Sequence, residues 1–116
     1  MIPDQDSDGV KDFAQIIPAC TVVSAEIDVD IRHVWRGDIV VTLTSPAGTL
    51  VVLKLFVDED ELDDVVGTYP TTLVPAQPLT ALAGEEGMGS WTLSVSDQDL
   101  NDVGTFETWA IRLMCQ

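Results

Sequence analysis

The chain has 116 residues, of which 20 are Asp or Glu and 5 are Lys or Arg, so its formal net charge is −15. Phosphate backbones and anionic lipid headgroups repel such a polyanion, which excludes nucleic-acid binding and electrostatic docking on a membrane. Hydrophobic residues make up 46% of the chain, enough for the core of one domain. No apolar run reaches the ~18 residues of a membrane span, and no signal peptide opens the chain, so we expect Met1 to precede an excised segment.

Alternating acids open the chain, where Asp4, Asp6 and Asp8 are followed by Gly9. Carboxylates two residues apart can converge on one cation where a glycine permits a sharp turn, as at the start of a calcium loop. The position at which an EF-hand needs a bidentate Glu is Gln15, and no helix is predicted on either side. We therefore hypothesise that the three acids bind calcium in a loop that is not an EF-hand.

The two cysteines stand at the two ends of the predicted sheet region, Cys20 just before its first strand and Cys115 at the end of its last. This placement is awkward for two independent core positions, so we favour a disulfide between them. A disulfide indicates an oxidising compartment. Two buried free thiols are the alternative.

Strands are predicted next along the chain. Apolar and polar residues alternate over 21–31, which predicts a half-buried strand with Val23, Ala25, Ile27, Val29 and Ile31 on its inner face. Residues 38–44 and 49–56 flank the sequence SPAG at 45–48, which predicts a hairpin closed by a type I turn. An acidic stretch at 58–64 is interpreted as a solvated loop, and a proline-rich excursion with one weak strand follows it.

Two further strands complete the predicted core. Residues 91–96 place Trp91, Leu93 and Val95 on one face, and residues 105–114 do the same with Trp109, Ile111 and Leu113. Helical periodicity is not sustained over any long window. The sequence therefore predicts an all-β fold, an antiparallel jelly-roll β-sandwich that forms a single domain over residues 1–116.

Catalysis by this chain alone is not indicated. His33 is the only histidine, and no G-x-S-x-G elbow occurs beside a Ser-His-Asp set. We interpret His33 as a residue that caps a strand end or packs a loop. Trp91 and Trp109 occupy strand positions that alternate with polar residues and face the core, whereas Trp35 does not. A module that binds a glycan or a protein through Trp35 is therefore the competing hypothesis.

Acids beside the core strands are the better cation candidates. Asp97, Asp99 and Asp102 lie in one connection between strands, and Asp38 precedes a buried strand. Uncompensated carboxylates next to a core are costly, and calcium prefers hard oxygen ligands. We therefore hypothesise at least one structural calcium ion at these residues.

The motifs also occur in a specific order: IPD at 2–4, HVWRGDIVVTLTSPAGT at 33–49, GTY at 67–69, GSWTLSVSD at 89–97, and Gly104-Thr105 before Trp109. In this order the chain resembles the P domain, also called P/Homo B, of subtilisin-like proprotein convertases such as kexin and furin and of many secreted bacterial proteases. The resemblance spans nearly the whole chain.

The resemblance implies a non-catalytic jelly roll that packs beside a subtilisin-like catalytic domain, supports its folding and stability, and in bacterial members often carries calcium. By position it makes Asp38 and Asp97 the best calcium candidates, with Asp102 after them. We expect a secreted, extracellular accessory domain of a serine endopeptidase that is monomeric when isolated.

Overall fold

The computed structural model describes residues 6–33, 36–56, 64–97 and 105–116, with the backbone alone at residues 6–9 and 36. The described residues form seven strands and two short 3-10 turns, Arg36–Asp38 and Leu79–Leu82. The strands are β1 (Asp6–Ile16), β2 (Val22–Arg32), β3 (Ile39–Thr44), β4 (Leu50–Lys54), β5 (Val65–Tyr69), β6 (Gly89–Asp97) and β7 (Thr105–Cys115). Among these residues, none lies in a helix with the length and apolar character of a membrane span.

The strands form two antiparallel sheets. One has four strands in the order β1-β6-β3-β4, and the other has three in the order β5-β2-β7. The expected all-β, antiparallel sandwich is therefore confirmed. A jelly roll has eight strands, and seven are seen in the described parts of the chain, so that finer assignment stays a prediction.

The inner faces of the two sheets meet in one apolar core. Trp91 is fully buried, and its indole Nε1–H donates to the carbonyl of Gly87 at 2.8 Å, so burial leaves no unsatisfied polar atom on the ring. The other fully buried large side chains are Ile27, Ile31, Ile39, Val41, Leu43, Val51, Leu53, Leu82, Leu93 and Val95. Full burial of such a side chain stabilises a fold by about 1.5–3 kcal/mol, so this core holds the two sheets together.

One inner-face assignment is wrong at the start of β2. The alternation predicts Val23 on the inner face, but Val23 is 47% exposed and Val22 is 2% exposed. The pairing of β2 with β7 is irregular between Val22 and Ser24. Such an irregularity moves the side-chain alternation by one residue, which explains why Val22 replaces Val23 in the core.

Strand β1 is the element that the sequence did not predict. It forms where a calcium-type loop was expected, and it pairs with β6 at one edge of the sheet. Its residue Asp12 lies opposite buried Leu93, and the Asp12 carboxylate accepts a hydrogen bond from Trp109 Nε1–H at 2.9 Å. Asp12 remains exposed at the edge of the sheet, on the side where an apolar residue is expected, and it thus breaks the apolar alternation by which strands are predicted.

The outer face of the three-stranded sheet carries charge. Arg112 forms ion pairs with Asp28 and Glu26. Hydrogen bonds from Arg112 and then from Thr68 hold the pKa of Asp28 below its usual value, against a smaller opposing effect of burial. On the same face Arg32 bonds to Asp30. Two of the few basic residues of the chain are thus used to neutralise the acids of β2.

Candidate functional site

Three buried polar side chains meet at one end of the sandwich: His33, Asp38 and Asp97. Their residues are 3%, 6% and 0% exposed, and the nearest nitrogen or oxygen atoms of the three all lie within 4.8 Å of one another. His33 Nε2–H donates a hydrogen bond to Asp97 Oδ2 at 2.8 Å. We refer to these three residues as the buried trio, and to this end of the sandwich as the His33 end.

The side-chain alternation of two strands directs two members of the trio, His33 and Asp97, inward. His33 follows Ile31 at the end of β2, at the same parity as the buried residues of that strand. Asp97 ends β6 two residues after buried Val95. Because side chains two residues apart share a face, both polar groups continue an apolar row into the protein.

The third member comes from the turn before β3. Asp38 closes the 3-10 turn Arg36–Asp38, and the next residue, Ile39, lies opposite Asp97 in the pairing of β3 with β6. The register of the four-stranded sheet therefore brings the Asp38 carboxylate to the other two groups.

Asp64 fixes the backbone of His33. The Asp64 carboxylate accepts a hydrogen bond from His33 N–H at 2.9 Å, and Asp64 N–H donates to the carbonyl of His33 at 2.8 Å. Asp64 has φ 64, a left-handed conformation that Asp adopts more readily than most residues. The sequence places this acid in a solvated loop, whereas the structure makes it a half-buried clamp that positions the trio.

The structure thus brings together two of the predicted metal ligands, Asp38 and Asp97. Asp6 lies opposite Asp97 in the backbone pairing of β1 with β6, but the side chains of Asp6 and Asp8 are outside the description. The predicted ligands Asp4, Asp99 and Asp102, together with Trp35, lie outside the described residues.

Sequence reasoning missed His33 as a partner of the two acids. The signal was present, because His33 stands two residues after Ile31 and thus has inward parity. The local sequence pattern does not reveal that β3 pairs with β6 or how the two sheets pack on each other. These two features bring residues 33, 38 and 97 together.

The three side chains of the trio do not by themselves complete a calcium site. Calcium takes six to eight oxygen ligands, whereas the trio offers one imidazole and two carboxylates, and imidazole is a ligand that suits transition metals. The side chains of His33 and Asp97 are 0% exposed and already bonded to each other. The same burial keeps His33 from meeting a substrate, so the arrangement is that of an internal polar network.

The opposite end of the sandwich is joined covalently. Cys20 and Cys115 form a disulfide across a sequence separation of 95 residues, which is the pairing that the sequence favours over two free thiols. The Glu86 carboxylate accepts a hydrogen bond from Cys20 N–H at 2.7 Å. This bond, with a second from Met88 N–H, lowers the pKa of Glu86.

Comparison with known proteins gives a consistent match. Residues 22–113 match the family model described as the proprotein convertase P-domain. The chain is 36% identical over 94 residues to the calcium-dependent protease of Trichormus variabilis (strain ATCC 29413 / PCC 7937), covering 79% of this chain and 14% of that protein. It is 33% identical over 88 residues to leupeptin-inactivating enzyme 1 of Streptomyces exfoliatus, covering 76% of this chain and 18% of that protein.

A solved structure shows the same fold. The serine protease of Aeromonas sobria superposes with a TM-score of 0.73 at 19% sequence identity, covering 99% of this chain and 24% of that one. The curated relatives are much longer than the present sequence, which covers less than a fifth of the length of each one named above.

Proposed function

This chain belongs to the proprotein convertase P-domain family, and from that premise we propose that it stabilises the catalytic domain of a secreted, subtilisin-like serine protease as a non-catalytic accessory domain. The match of residues 22–113 to the family is the observation that carries the proposal. We assign the parent protease to the serine class because the motifs of this chain resemble those of subtilisin-like convertases. One relative, from Streptomyces mobaraensis, is named a transglutaminase-activating metalloprotease, which is the competing parent class.

The geometry supports a mechanical role. A domain that stabilises a neighbour must itself resist unfolding, and this sandwich is tied at both ends. The hydrogen bond between His33 and Asp97 lies at the His33 end, and the Cys20–Cys115 disulfide lies at the other. The disulfide also supports an extracellular location, because such bonds persist in oxidising compartments.

An exchange of domains tests the proposal. The region of the Trichormus protease that aligns with this chain is replaced by the chain, and the inactivation half-life at raised temperature is compared with that of the same protease truncated before this region. We expect the chimera to outlast the truncated enzyme. Equal half-lives for the two proteins would contradict the accessory role.

We also propose calcium as a structural ion of the domain, held by its carboxylates. The hypothesised ligands all carry a carboxylate, the ligand type that calcium prefers; they are Asp4, Asp6, Asp8, Asp38, Asp97, Asp99 and Asp102. Two relatives are named calcium-dependent proteases, which supports the choice of ion. Among these acids, Asp38 and Asp97 already lie close together at the His33 end.

Calcium is accordingly expected to raise the melting temperature of the chelator-treated domain, because an ion that binds the folded state alone stabilises it. The variant Asp99→Asn/Asp102→Asn is expected to lose this rise. The matched control Asp58→Asn/Asp60→Asn, which removes two acids from the stretch interpreted as solvated, is expected to keep it. An unchanged melting temperature of the wild-type domain on adding calcium would remove the ion from the proposal.

A further inference from the structure

The connection between β1 and β2 passes from one sheet to the other. β1 is an edge of the four-stranded sheet, and β2 is the middle strand of the three-stranded sheet. Residues 17–21 join them. The last two of these are held in place, because Cys20 is in the disulfide and donates its N–H to Glu86, and Thr21 forms a bridge with Glu86. The part that is left to bend is residues 17–19, which we call the hinge.

The hinge lies outside both sheets. Its three residues are exposed, and it takes part in no strand pairing within the described ranges of the chain. Pro18 has no N–H to donate, and it biases Ile17 toward extended backbone. Straightening the hinge therefore breaks no pairing of either sheet, so β1 is able to move away from the rest of the domain as one piece.

Ile17 is the unusual residue of the hinge. Its large apolar side chain is 77% exposed, and removal of such surface from water is favourable. An arrangement that covers Ile17 is therefore stabilised relative to the single chain.

Everything that holds β1 in place is also available on a second copy of the chain. Residues 10–16 of β1 pair with residues 89–95 of β6 in a continuous antiparallel register, and the Asp12 carboxylate accepts the hydrogen bond from Trp109 on β7. Both partner strands come after the hinge. A β1 from another copy thus meets the same register and the same indole, and this match selects β1 itself as the occupant of the β6 edge.

We propose that two copies of this chain exchange β1 reciprocally, so that β1 of each copy pairs with β6 of the other. The two hinges then cross at the twofold axis of the dimer, where Ile17 of one protomer packs against the partner's Ile17. The exchange keeps the β1 contacts of the single chain and adds this apolar one. It goes beyond the accessory role, and neither proposal depends on the other.

Two effects oppose the exchange in dilute solution. β1 of a single chain is tethered to its own site at an effective concentration in the millimolar range, so a second copy competes only near that concentration. Each copy also carries a formal net charge of −15, and like charges repel until salt screens them. The domain is therefore expected to be monomeric at micromolar concentration in low salt, and to exchange β1 when it is concentrated in high salt.

Sedimentation velocity tests for the dimer. The chain is held at about 1 mM in high salt, with enough urea to open β1 and with the disulfide intact, and is then returned to buffer without urea. We expect a dimer fraction about tenfold higher than in a sample treated at about 10 µM, because only the first competes with the tether. Ile17→Ser is expected to lower that fraction about tenfold, since the apolar contact at the axis is lost. The matched control Val74→Ser changes a side chain that is 88% exposed and is expected to leave the fraction unchanged.

A covalent trap distinguishes exchange from side-by-side association. Lys11 lies opposite Ser94 in the pairing of β1 with β6, so a bond between positions 11 and 94 reports which β6 a given β1 occupies. Chains with Lys11→Cys and chains with Ser94→Cys are mixed, treated as above at about 1 mM and oxidised with glutathione disulfide. Mass analysis is expected to find the 11–94 link between one chain of each type. With Val74→Cys in place of Ser94→Cys, no link to position 11 is expected.

The possible results decide the proposal. A chain that stays monomeric after treatment at about 1 mM in high salt overturns it, and so does a dimer without the 11–94 link. A linked dimer that Ile17→Ser does not weaken supports the exchange and overturns the contact assigned to Ile17. The accessory role is tested separately by the chimeric protease, so a failure of the exchange leaves it standing.

Discussion

Replacing Asp97 by alanine is expected to destabilise the domain by about 2–3 kcal/mol, the usual cost of leaving a buried hydrogen-bond donor without its carboxylate acceptor. The substitution deprives His33 Nε2 of the acceptor that now lies 2.8 Å away. It leaves the imidazole beside Asp38 in a region that solvent does not reach. A domain of this size has a total stability of roughly 5–15 kcal/mol, so we expect a large fraction of it to be lost.

The measurement is urea unfolding of the purified domain at neutral pH with the disulfide intact. Asp97→Asn is expected to cost less than Asp97→Ala, because its amide oxygen still accepts a hydrogen bond. Asp30→Ala is the matched control, since the Asp30 ion pair with Arg32 is solvent-exposed and such pairs contribute about 0–1 kcal/mol. A loss for Asp97→Ala no larger than that for Asp30→Ala would show that the trio adds little to stability.

Removing the disulfide is expected to have the second large effect. The bridge closes a loop across 95 residues of sequence, and the loop-entropy relation gives about 4–5 kcal/mol for that length, with measured losses of roughly 2–5 kcal/mol. The effect acts on the unfolded chain, which regains the conformations that the closed loop forbids. We therefore expect Cys20→Ala/Cys115→Ala to unfold at a much lower urea concentration than the wild type.

Reduction provides the control for this prediction. Dithiothreitol is expected to lower the unfolding midpoint of the wild-type domain to near that of Cys20→Ala/Cys115→Ala, and to leave the variant unchanged. A wild-type midpoint that dithiothreitol does not move, while the bridge is shown by mass to be reduced, would contradict the prediction.

The strands were predictable wherever a single face is buried. The alternation in β2 and β6 follows from the two-residue period of a strand, and Trp91 and Leu93 are in the core as that period requires. The alternation fails where the register changes, as at Val22 and Val23, because a bulge depends on the neighbouring strand. It also fails at β1, where exposed Asp12 takes the place of an apolar residue and accepts a hydrogen bond from Trp109, on a distant part of the chain.

The site was predictable in part, for a related reason. Parity alone places His33 and Asp97 inward, and the resemblance selects Asp38 and Asp97. Their convergence depends on strand pairing over long sequence separations, which local pattern does not encode. The role of Asp64 could not be predicted for the same reason. Asp64 is one acid in an acidic run, and only its contact with the backbone of His33 gives it a structural role.

The Cys20–Cys115 bond also divides the sandwich into two parts of different topology. Strands β2 to β7 lie within the covalent ring, whereas β1, among the strands described, lies outside it and is held by non-covalent pairing with β6. Peeling away of β1 leaves the ring and its three-stranded sheet intact, so this opening requires less free energy than unfolding of the whole domain. Under stress, a hinged release of β1 is therefore expected before the domain unfolds as a whole.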